Sequence, residues 1–139
     1  MTNRTERRAL QIVVAIACLS PLGFGLLGMI HGGGAFGGIA SIDADSHFRY
    51  LSGLFFGIGV MAISCVPRIE RHRERFGWVV LFVVIGGLAR LYGFASHGVP
   101  EGSHFYAVFM ELVVTPLLGL WQRRLSTQSQ SSRGFGRGR

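Results

Sequence analysis

The chain has 139 residues, 49% of them hydrophobic and only 15% charged, with a formal net charge of +7. That length excludes two ordinary domains, and the apolar residues lie in four nearly unbroken runs rather than in the periodic patterns of a soluble core. Each run is long enough to cross roughly 30 Å of hydrocarbon at 1.5 Å per residue, which identifies a polytopic membrane protein.

The positive charge would suggest nucleic acid in a soluble protein, but here it has a different origin. Every basic residue is arginine, and most flank the apolar runs: Arg4, Arg7 and Arg8, then Arg68, Arg71, Arg73 and Arg75, then Arg123 and Arg124 with the arginines of the tail. The two remaining connections, about 31–47 and 97–104, hold no Lys or Arg. The positive-inside rule accounts for this alternation and predicts both termini on the cytoplasmic side, with no nucleic-acid partner. The two cysteines cannot form a disulfide framework. Cys18 is expected at mid-membrane and Cys65 near the cytoplasmic end of its helix, so both read as small buried apolar residues.

Residues 1–8 are a basic stub, and residues 9–30 are predicted to form the first helix. A basic start before an apolar run also describes a signal peptide, yet the run continues well beyond Cys18, past a typical signal core. Pro21 inside it removes a backbone donor and predicts a kink. His31 to Gly38 (HGGGAFGG) reads either as a turn out of the membrane or as a backbone nest for an anion. Residues 39–47 are expected along the interface, with the second helix at about 48–66 and Gly53 and Gly57 as its small-xxx-small packing pair. Pro67 ends that helix. The connection to Arg75 is a charge run of the kind that anchors against anionic headgroups. The third helix is predicted at about 77–96 and the fourth at about 104–122, with Trp78 and Trp121 as interfacial aromatics. Together residues 1–124 make one all-α domain, an antiparallel bundle of four transmembrane helices. Residues 125–139 are a disordered cytoplasmic tail of Ser, Gln, Gly and Arg.

Two charges lie deep. Arg90 is about seven residues from the outer end of the third helix, and Glu111 about seven residues into the fourth. Both are therefore roughly 10 Å below the outer surface. A charged side chain at such a place costs on the order of 2.5–3.5 kcal/mol on insertion scales, and pairing lowers that cost. Helical spacing puts Gly86, Gly93 and His97 on the face of Arg90, and His104 and Thr115 on the face of Glu111. On the second helix Arg49, Ser52, Gly53 and Phe56 align, and on the first Phe24, Gly28 and His31. Four stripes with polar outer ends would converge on one cavity. The pair can equally be a pin that fixes helix register. As ligand-binding candidates we take Asp45, His47, Arg49, Tyr50, Arg90, His104 and Glu111. Four of the five histidines and the acids Asp43, Asp45 and Glu101 also fall on the outer side. No His pair stands at i, i+4, so no metal site is assigned.

Asp45-Ser-His-Phe-Arg-Tyr-Leu-Ser-Gly53, Gly86-Gly-Leu-Ala-Arg-Leu91 and Met110-Glu-Leu-Val-Val-Thr-Pro-Leu-Leu118 resemble, in that order, the recurrent motifs of the bacterial membrane family catalogued as domain of unknown function 4345. The resemblance covers about residues 9–124. It implies four helices and a bacterial inner-membrane location, and it supplies no activity or cofactor.

Three function classes follow. The first is a protein that binds or moves a small amphiphile or anion, held by the two arginines and balanced by Glu111, in a pocket open to the outer side. The second is a membrane oxidoreductase or accessory subunit for quinone or lipid chemistry, with His47 or Glu111 carrying a proton. The third is a structural subunit that meets a membrane-protein partner, or a second copy of itself, through glycine faces.

Overall fold

A computed structural model describes residues 3–38, 41–98 and 104–134, and these are helical almost throughout. Helix α1 spans Asn3–His31 and leads into a 3₁₀ turn, Gly32–Phe36. Helix α2 covers Ile42–Cys65, a short 3₁₀ turn Val66–Arg68 follows, and α3 covers Arg73–His97. The last apolar segment is built in three pieces: α4 (His104–Phe109), a π-helical segment (Met110–Val114) and α5 (Thr115–Gly134). Four stretches are thus long and apolar enough to cross a membrane. Residues 99–103, Glu101 among them, and residues 135–139 of the expected tail lie outside the described residues.

The side chains are distributed as lipid requires. Ile12, Ile16 and Leu19 on α1 are 60%, 61% and 67% exposed, an arrangement that water would penalise and hydrocarbon does not.

The chain divides into two compact units. The first, Gln11–Val66, pairs most of α1 with α2. Small residues allow the pairing. A Cβ added to Gly25 would lie 2.8 Å from the backbone nitrogen of Phe56, and one on Gly28 would run into the Ser52 hydroxyl. Gly59 plays the reciprocal part on α2, packed against Leu22. Ser52 and Phe56 therefore share one face, as their spacing predicted, and that face packs on α1. Gly53 touches only Met29, and Gly57 has nothing within 4 Å, so the seam is Gly25, Gly28 and Gly59 instead of the expected Gly53–Gly57 pair. Val14, Cys18, Ala62 and Cys65 are buried, and both cysteines are free. Helix α1 continues without a break across Pro21.

The second unit comprises the first turns up to Leu10 and the chain from Pro67 onward. Its most tightly closed part lies at the 67–71 connection, where Leu10, Ile69, Leu125, Gln122 and Ser126 are at most 2% exposed. The Gln122 side-chain amide donates to the Ile69 carbonyl at 2.7 Å and to Ser126 Oγ at 3.0 Å. Arg7 reaches Glu70 at 3.5 Å. Helix α5 runs past the hydropathy boundary at 122 to Gly134. Leu125 and Ser126 explain its first added turn, because both pack inward although their neighbours are polar.

Gly25→Ala should cost about 1–3 kcal/mol by forcing α1 off the Phe56 backbone, whereas Gly57→Ala, with open space around it, should be neutral or gain up to about 1 kcal/mol. Thermal unfolding of the two variants in one detergent compares them directly.

Candidate functional site

The candidate residues fall into two groups, one in each unit. In the first unit the polar stretch is helical from Ile42 onward, so the second helix begins six residues before the expected 48. Ser41 is extended (φ −148°, ψ 158°), and its Oγ accepts the amide of Ala44 at 3.2 Å. With Asp43 and Asp45 in the first turn, this is a favourable helix start next to the positive end of the helix dipole. The cap and the two acids are visible in the sequence, but the hydropathy boundary at 48 obscures them.

Asp45 and Arg49 then stand one turn apart, and Arg49 Nε donates to Asp45 Oδ2 at 2.7 Å. Asp45 Oδ1 accepts the backbone N–H of Gly33 at 2.9 Å. Arg49 Nη1 donates to the carbonyls of Met29 and Ile30, at 2.9 and 2.7 Å, near the end of α1. These carbonyls have no helical donor because α1 stops at His31. The glycine stretch is therefore a turn whose amide meets an anion, and that anion is the chain's own carboxylate. Gly32 has φ +62°, and a Cβ there would strike Asp45 Oδ1 and approach Arg49 Nη2 to 2.7 Å. No other residue satisfies both constraints. His47 and Tyr50 lie on the outer surface of the same helix, both exposed, with ring centroids 6.4 Å apart.

The second unit carries the other pair. Arg90 on α3 grips Glu111 with two parallel bonds, Nε to Oε2 at 3.2 Å and Nη2 to Oε1 at 3.1 Å. The Glu111 side chain is 14% exposed and that of Arg90 37%. Nη1 makes no hydrogen bond among the described residues. Close approach depends on Gly87, where a Cβ would lie 2.8 Å from Leu112 and 2.9 Å from Glu111 Cβ. The expected partner Gly86 is exposed and, like Gly93, has nothing within 4 Å. The contact runs through the i−3 neighbour of Arg90 rather than the i−4 neighbour, and both spacings share its face.

Glu111 sits in the π-helical segment, which the sequence reading treats as regular helix. Its cause is Pro116. A proline has no N–H for the carbonyl four residues back, and its ring collides with that carbonyl. The chain responds by widening the preceding turn. The amide and the hydroxyl of Thr115 both turn to the Met110 carbonyl, five residues away, the hydroxyl at 2.9 Å. In a regular helix the amide of Thr115 would serve Glu111 and that of residue 116 would serve Leu112. Neither carbonyl receives that donor here. The Thr115-Pro116 pair was the available signal. The widened turn also breaks the 3.6-residue register that would place His104 above Glu111. His104 is exposed at the start of α4, as is His97 at the end of α3. No three His, Cys, Asp or Glu side chains gather among the described residues.

A family model matches residues 9–122, a span that contains both ion pairs and the π segment. The chain belongs to the family described as Domain of unknown function (DUF4345). No curated protein and no solved structure matches it. The four membrane-compatible helices and a domain of unknown function fit an integral membrane protein whose spans contact a lipid bilayer.

Two outcomes test the assigned roles. Arg49→Ala should remove about 1–2 kcal/mol and speed amide exchange at Gly33, which mass-spectrometric exchange on the 30–36 segment reads. In a cycle of Arg90→Ala, Glu111→Ala and the double variant, each single change should destabilise and the double should recover part of the loss, with a coupling of about 0.5–3 kcal/mol.

Proposed function

We propose that this membrane protein binds a small amphiphile with an anionic head, and that Arg90 and Glu111 form the centre of the site. The observation that carries this is that Arg90, the deep arginine, has a single carboxylate as its partner, whereas Arg49 is built into the chain's own turn. Arg49 spends Nε and Nη1 on the chain's own carboxylate and carbonyls. Arg90 binds Glu111 through one edge only, which leaves Nη1 to meet an incoming oxygen. A guanidinium at this depth is costly, and a retained donor there is a functional signal. The π segment beside it supports the reading, since such segments recur at functional sites. Glu111 keeps the empty site neutral, and an anion shared with Arg90 would loosen that grip.

On this reading Asp45 and Arg49 hold the turn of their own unit. The arginine distribution supports cytoplasmic termini and an inner-membrane location. A second reading, a register pin in a structural subunit, is favoured by the close packing at Gly87.

Dodecanoate and dodecyltrimethylammonium differ chiefly in head charge and separate the two readings. Dodecanoate at about 100 times its Kd should add about 2.7 kcal/mol of stability to the native protein. It should add far less to Arg90→Lys, which keeps the charge but loses the fork. Equal stabilisation by both amphiphiles, or an unchanged response in the Arg90 variant, would reject the proposal in favour of the pin.

A further inference from the structure

The geometry points to a second lipid-facing site at the start of α3, one that takes an anionic phospholipid with its phosphate among Arg71, Arg73 and Arg75 and one acyl chain along α3. These three arginines, with His72 and Glu74, line an open groove of about 550 Å³. Among them Glu74 is the one carboxylate, and Glu70 is engaged by Arg7. The groove is therefore three guanidiniums against a single acid. Each guanidinium offers a planar fork that matches phosphate oxygens two at a time.

What distinguishes this from a merely solvated charge run is the surface that continues from it. Arg75, Trp78, Phe82 and Ile85 stand at i, i+3, i+7 and i+10, a single face of α3. Trp78, Phe82 and Ile85 are 56%, 47% and 53% exposed. The Trp78 and Phe82 rings stack with centroids 6.2 Å apart and planes 29° from parallel. Cation, then indole, then phenyl, then aliphatic side chain follow one another over ten residues, about 15 Å of helix. A phospholipid presents phosphate, ester region and hydrocarbon in the same order, and tryptophan prefers the middle level. A headgroup that also carries an ammonium would set a cation against the three arginines. The groove therefore selects lipids whose only headgroup charge is the phosphate, such as phosphatidylglycerol.

The test is native mass spectrometry of the full chain, released from detergent after titration with phosphatidylglycerol or phosphatidylcholine of identical acyl chains. Phosphatidylglycerol should be retained at collision energies that strip phosphatidylcholine. Its retention should fall about tenfold when Arg71, Arg73 and Arg75 are changed together to Gln. Arg75→Lys, which keeps the charge and spares the fold, should also lower it. Trp78→Ala with Phe82→Ala should weaken lipid retention too. Equal retention of the two lipids would overturn the site. Displacement by excess inorganic phosphate, with no effect of the aromatic changes, would show a soluble-phosphate site and overturn the lipid assignment. An equal loss in Arg123→Gln with Arg124→Gln, beside the Gln122 that binds Ile69, would show diffuse charge and overturn it as well.

Discussion

A guanidinium in a membrane helix must be neutralised nearby, and much of the second unit is arranged to allow it. The grip of Arg90 on Glu111 requires α3 and the last apolar segment to approach closely, which Gly87 permits. It requires Glu111 to point at α3 from a turn that Pro116 has widened. Glycine, proline and threonine thus act together on one ion pair from three separate sequence positions. The energetic logic is that of lipid as solvent, where an unpaired charge or backbone group finds no water to replace its partner.

The first unit solves a related problem with different means. Helix α1 ends in carbonyls that need donors, the glycine turn presents an amide that needs an acceptor, and the start of α2 supplies both. Arg49 and Asp45 form a side-chain cap shared by two helices. Because the i, i+4 pairing holds both groups in place, each organises the other before meeting the turn. Exposed ion pairs are worth little alone. This one gains from the backbone groups it satisfies.

Most of the architecture was legible in the sequence because the bilayer imposes a single coarse rule, about twenty apolar residues per crossing. The four spans, the depth match of Arg90 with Glu111 and the alignment of Arg49, Ser52 and Phe56 all follow from counting along helices. Counting failed where a local exception intervened. The start of α2 was missed because Asp43 and Asp45 lower hydropathy while they favour a helix N-terminus. The glycine contacts were misassigned because i−3 and i−4 neighbours are equivalent from spacing alone, and only packing chooses Gly87 over Gly86. The π segment was missed because periodicity assumes that every turn has the same width. At Leu125 and Ser126 a helix continues through polar sequence because two residues in it are buried.

The π segment also loosens the tie between residue count and helix phase. A five-residue wide turn holds one residue more than the regular helix around it would, so it behaves like an insertion absorbed without breaking the rod. The slower winding of that turn removes about as much rotation as the extra residue adds, so the segments on either side stay in phase. Loss of one residue from the regular helix of α5 has no such buffer and would rotate everything beyond it by about 100°. A loss just after Pro116 would turn the faces of Leu118, Gln122 and Leu125 away from their partners while Glu111 still met Arg90. Chains of this kind that differ by a single-residue gap within the wide turn would therefore be expected to bury the same face of the final helix.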